Sequence, residues 1–105
     1  MDGTRFHGHV VWLTSDQGGR SSGPPTGAEY RVTGFVPPRT IEDGLASFWL
    51  VDFEPGAWRS PAVGWWLAVE NVGAQEVRPG GVVVVTEGAR TVAYFHVDEV
   101  RAIGA

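Results

Sequence analysis

Apolar and polar side chains alternate along this chain in short bursts, with no sustained spacing of three and four, so the pattern predicts strands and no long helix. Residues 5–14 alternate as a half-buried strand does. Phe6, Gly8, Val10 and Trp12 share the face expected to point inward, and His7, His9, Val11 and Leu13 share the other. A loop dense in glycine, serine and proline covers 15–28, and a second strand over 29–36 is stopped by Pro37 and Pro38, which offer no N–H to a ladder. Turn chemistry at Asp43-Gly44 leads into a third strand over 47–53, after which Pro55, Gly56 and Pro61 make 54–62 read as a loop. Strands over 63–71, 82–87 and 91–100 complete the set, the last two joined around Gly88-Ala89. In the fourth strand Trp65, Leu67 and Val69 are expected inward, which turns Trp66, Ala68 and Glu70 outward.

Six short strands separated by Gly and Pro turns predict an all-β fold, a six-stranded antiparallel barrel that is closed or nearly so. Closure also keeps the run Val82-Val83-Val84-Val85 off an exposed edge. The 105 residues suffice for one core, so 1–105 is expected to be a single domain.

Composition removes several function classes. With no cysteine there is no disulfide framework, thiolate zinc site or thiol nucleophile. The N-terminus has no basic stretch leading into an apolar core, and no apolar run approaches a membrane span, so a cytoplasmic protein without a membrane partner is expected. All eight basic residues are arginine and the formal charge is −4, a balance that disfavours nucleic acid unless the few arginines are concentrated. No G-x-x-x-x-G-K-[ST] occurs and lysine is absent, so the chain is expected neither to bind nor to hydrolyse GTP, and no cofactor is expected.

Two stretches carry a family resemblance. Leu13-Thr14, Gly18-Gly19-Arg20, a proline-containing loop and Tyr30-Arg31 resemble the start of the third domain of translation elongation factor Tu. Thr86-Glu87-Gly88-Ala89-Arg90-Thr91-Val92 resembles the final hairpin of the same domain, and between them Pro61-Ala62-Val63 stands where the family has a turn. The resemblance implies a six-stranded Greek-key barrel over most of the chain and a surface that touches other domains, an exchange factor and tRNA. Two cationic positions of the family's RNA grip fall on Gly73 and Thr86 here, which weakens the inherited RNA-binding reading.

The candidate sites each have a plainer reading beside them. Gly19-Arg20-Ser21-Ser22-Gly23 fits G-x-S-x-G, but that nucleophile needs a strand-to-helix turn, and Pro24-Pro25 follow instead. His7 and His9 point to one face, and His96 with Asp98 joins them if the first and last strands are neighbours; these are weak metal candidates against ordinary surface histidines. The carboxylates Glu42-Asp43, Asp52 with Glu54, and Asp98-Glu99 lie in turns and strand ends, where solvated acids are common. Arg20 and Arg90 either contact a partner or brace their own loops through carbonyls. Of the five tryptophans, Trp12, Trp49 and Trp65 are expected in the core. Trp58, between Pro55 and Pro61, and the outward Trp66 are the candidate binding patch, with a loop folded over Trp66 as the alternative. The expected function is a non-enzymatic protein-binding module, acting on an unidentified protein or on itself, of a small regulatory or immunity type. The partner-binding candidates are Trp58, Trp66, Arg20, Arg31, Glu87, Gly88 and Arg90, and the alternative is structured-RNA binding through Arg20, Arg31 and Arg90.

Overall fold

Six strands form where apolar residues alternate, and they close on one another. The computed structural model describes residues 3–67 and 77–103. The strands are β1 (Gly3–Trp12), β2 (Glu29–Phe35), β3 (Ala46–Val51), β4 (Arg59–Trp66), β5 (Val82–Glu87) and β6 (Arg90–Ile103). All pairings are antiparallel, in the order β1-β4-β3-β2-β5-β6, and β6 returns to β1. β2, β3 and β4 form a meander, and β1 lies beside β4 across a long connection, which is Greek-key connectivity. Among the described residues helix is confined to two three-residue 3₁₀ turns, Ser15–Gln17 and Ile41–Asp43, and none is long and apolar enough to cross a membrane.

The inner wall is built by alternation. β1 sends in Phe6, Val10 and Trp12; β3 sends in Phe48 and Leu50; β5 sends in Val83 and Val85; and β6 sends in Phe95 and Val97. Phe48 is the hub, with ring centroids 4.8 Å from Trp66, 5.8 Å from Phe95 and 6.3 Å from Phe6. β1 and β2 stand opposite one another in the ring, so residues 13–28 must cross one end of the barrel. The β3–β4 loop and the β5–β6 hairpin lie at that same end. Gly56 N–H donates to the Pro25 carbonyl at 2.8 Å and Trp12 N–H to the Trp58 carbonyl at 2.9 Å, fastening the two loops over Trp12, Tyr30 and Phe53.

β4 departs from the expectation. It starts at Arg59, not at 63, and includes Pro61. Proline is tolerated because Pro61 pairs with His9 of β1 alone; β3 joins only from Val63 onward, so the strand is locally an edge there. Pro61-Ala62-Val63 is therefore strand and not turn. The expected continuation from 68 to 71 and the position Gly73 lie outside the described residues.

The facing of β4 is also inverted relative to expectation. Ser60, Ala62, Gly64 and Trp66 point inward, while Pro61, Val63 and Trp65 point outward. Volume decides this. Phe48 occupies the space beside Gly64, where a Cβ would collide with its ring, so the inner face of β4 must be small until Trp66. Trp66 is 7% exposed and belongs to the core, so the expected outward Trp66 is wrong, and Leu67, expected inward, is exposed. Trp49 is likewise on the outer face, because Phe48 and Leu50 take the inner positions of β3.

Candidate functional site

The residues singled out from sequence separate into three places. Arg20, Trp58, Glu87, Gly88 and Arg90 gather at the barrel end closed by residues 13–28. Arg31 stands on the outer wall, and Trp66 is inside.

At the closed end, Arg20 links the two stretches that carry the resemblance. Its Nε donates to Glu87 Oε2 at 3.0 Å, an Nη1–H donates to the Gly23 carbonyl, and the guanidinium lies 5.2 Å from the Tyr30 ring centroid. Arg20 thus braces its own loop and ties it to the hairpin. Glu87 and Arg90 pair across the turn, where Gly88 takes φ of 60°, a left-handed conformation suited to glycine. Arg90 is exposed and makes no ion pair or ring contact among the described residues. Thr86 is fully buried, and its hydroxyl shares a 2.6 Å hydrogen bond with that of Thr33, sealing the β2–β5 seam. A cation has no room there. Trp58 is 48% exposed, as expected, but it does not adjoin a second exposed tryptophan, since Trp66 is core.

On the outer wall the sheet register assembles something that the sequence reading missed. Arg31 pairs with Trp49 and Trp49 pairs with Trp65. Arg5, one step beyond the Phe6–Gly64 pair, reaches Trp65 from β1. The Arg5 guanidinium lies 3.9 Å from the Trp65 ring, the two indoles are 5.3 Å apart at 34°, and the Arg31 guanidinium lies 4.1 Å from the Trp49 ring. Four planar groups from four adjacent strands therefore stack in the order Arg, Trp, Trp, Arg. Strand order puts each cation on the side of its indole away from the other indole, so each ring has an arginine over one face and the second indole, tilted by 34°, on its other side. Such cation–π contacts contribute ~0.5–1 kcal/mol each where they are exposed. The signal in the sequence is the small-residue spacing Ser60, Ala62, Gly64, which assigns the inner face of β4 and so turns Trp65 outward.

Beside this row lies a second, two residues along each strand. Glu99 pairs with His7, His7 with Val63, Val63 with Val51, and Val51 with Glu29. Arg101 pairs with Arg5 at the β6 end of the first row and donates to Glu99 at 2.7 Å. That hydrogen bond holds the Glu99 carboxyl below the usual carboxylate range.

The histidines also meet on this side of the barrel. His9 and His96 are directly paired across β1 and β6, their rings stack at 4.9 Å, and His9 Nδ1 is 3.7 Å from Asp98. His7 stands opposite Glu99 instead. Among the described residues no three His, Asp or Glu side chains converge as a metal site would need. No protein-family model matches the chain, and no curated protein matches it.

Proposed function

We propose that this chain is a non-enzymatic protein-binding module, built on a barrel similar to the third domain of elongation factor Tu, and that it binds through the outer wall of β1, β4, β3 and β2. The Arg5–Trp65–Trp49–Arg31 stack carries the reading. Tryptophan and arginine are the side chains most enriched where interface energy concentrates, and here they are fixed in one geometry before a partner arrives. Half-buried Val51 and Val63 extend the apolar centre, and exposed Arg31, Glu29, Glu99 and Arg101 ring it, as in a protein interface with a dry centre and a polar rim.

RNA fits less well. Single-stranded nucleic acid is held by bases stacking on free aromatic faces, and Trp49 and Trp65 each have an arginine over one face and the other indole on the remaining side. Of the three arginines of the RNA reading, Arg20 is paired with Glu87 and Arg31 is committed to Trp49, which leaves Arg90 as the one of the three not engaged within the chain. The similarity to the elongation factor domain is supported by the Arg20–Glu87 pair, which joins the two stretches that resemble it.

The reading is tested by passing extract of the source cells over immobilised wild-type chain and over Trp65→Ala, after both are shown to be folded. Proteins retained by the wild type, lost on Trp65→Ala and insensitive to ribonuclease are expected. Identical retention on both columns, or retention abolished by ribonuclease, contradicts the proposal.

A further inference from the structure

β6 outruns its neighbour on one side. It pairs with β1 as far as Ile103 opposite Gly3, but with β5 only as far as His96 opposite Val82. One residue further, Val97 N–H donates to the Gly81 carbonyl at 2.9 Å and Gly80 N–H donates to the Val97 carbonyl at 2.7 Å. Beyond Val97, no strand among the described residues pairs with β6 on that side. Residues 98–102 therefore present an open strand edge, a template on which another strand can pair.

We propose that this edge pairs with the same edge of a second copy of the chain, antiparallel, about a two-fold axis at Val100, so that the two barrels share a sheet in the order β1-β6-β6-β1. Charge selects the occupant and the register. Glu99 and Arg101 are exposed on one face of the strand, where the Arg101 guanidinium donates to the Glu99 carboxylate at 2.7 Å. A register centred on Glu99 sets carboxylate against carboxylate, and one centred on Arg101 sets arginine against arginine, both destabilising as directly opposed pairs. The register centred on Val100 sets Glu99 of each copy opposite Arg101 of the other. Registers one residue away from these oppose backbone groups that point to different sides and form no ladder. The Val100 register also fits the space. It places Asp98 opposite Ala102 and uses the whole open run, whereas a shift toward Glu99 runs into Gly80 and Gly81, which already hold Val97. On the opposite face of the strand Val100 packs against the core, so the two Val100 side chains meet across the axis beside both cores. Such self-complementarity is what an isologous dimer requires, and a foreign strand would have to supply the same alternation of charge. The shared strip is about 17 Å long and one strand wide, well below the ~800 Å² per partner of a standard interface. The dimer is accordingly weak, with a dissociation constant of about 10 μM to about 1 mM.

The inference does not rest on the outer wall as a binding surface, and sedimentation equilibrium of the full chain from about 10 μM to about 1 mM tests it. The wild type is expected to shift toward twice the monomer mass as concentration rises. Glu99→Arg and Arg101→Glu, each first shown to be folded by circular dichroism, should each associate at least about tenfold more weakly, because each sets like charges across the axis. Mixed in equal amounts, the two variants should associate to within about threefold of wild type, since every charge of one then faces its opposite on the other. A wild type that stays monomeric throughout, single variants that associate like the wild type, or a mixture that associates no better than its components overturns the proposal.

Discussion

At Gly64 the inner wall of the barrel has no room for even a methyl group, because a Cβ would run into the fully buried Phe48 ring. Phe48 cannot yield, since Phe6, Trp66 and Phe95 hold it on other sides. Gly64→Ala is therefore expected to destabilise the protein by about 1–3 kcal/mol, read as a lowered midpoint in chemical denaturation. The neighbouring tryptophans divide the same way. Trp66→Ala empties a core position and should cost about 3–5 kcal/mol. Trp66→Phe should cost less, about 1–2 kcal/mol, because it keeps a ring against Phe48 and removes an indole N–H that is buried without a partner among the described residues. Trp65→Ala, on the outer face, loses its cation–π and indole contacts and should cost only about 1 kcal/mol. Thermal melts of these variants check the facing of β4, and a Trp65→Ala loss as large as that of Trp66→Ala would contradict it.

Between elements, Arg20 is the strap that holds the β1–β2 connection to the β5–β6 hairpin. Arg20→Ala removes the Glu87 pair and the Gly23 carbonyl contact together, and is expected to destabilise by about 1 kcal/mol while raising amide exchange in residues 15–28. Arg90→Ala should stay within about 0.5 kcal/mol of wild type, as surface changes do. The β1–β6 ribbon makes a pH prediction. Glu99 has a depressed pKa in the folded chain, so its attraction to Arg101 is present above the ordinary carboxylate range and is lost as pH falls through the lowered value. In Arg101→Ala the Glu99 carboxyl should titrate closer to its ordinary 4.5, followed by carbon NMR. The elements themselves were legible: alternation and Gly/Pro punctuation located all six strands, and inward Phe6, Val10 and Trp12 of β1 followed from period two alone. The start of β4 was not, because Pro61 reads as a loop unless its lack of a β3 neighbour is known. Nor was the facing of β4. Trp65 and Trp66 are equally apolar, and the small-residue spacing Ser60, Ala62, Gly64 marks the inner face only once Phe48 of the neighbouring β3 is known to fill the space beside Gly64.

On the scale of the whole molecule, closing the sheet brings distant residues into order. Arg5, Arg31, Trp49 and Trp65 come from four different strands, and only the ring order β1-β4-β3-β2 places them in one row. That is why the tryptophan pair expected from sequence, Trp58 with Trp66, is not formed, and the pair that is formed, Trp49 with Trp65, is one that individual strands do not announce. The exposed end with Trp58, Glu87 and Arg90 and the outer wall with Trp49 and Trp65 are spatially distinct, so a footprint can tell them apart. If the chain docks through the outer wall, as proposed, Trp49 and Trp65 are the residues that a partner covers. Amide and indole NMR spectra of nitrogen-labelled chain, recorded before and after addition of the proteins retained by the wild-type column, read that contact residue by residue. Changes are expected at Trp49, Val51, Val63 and Trp65, including the indole N–H signals of Trp49 and Trp65. Changes centred instead on Trp58 and Arg90, or none on addition of the retained proteins, would rule the wall out as the docking surface.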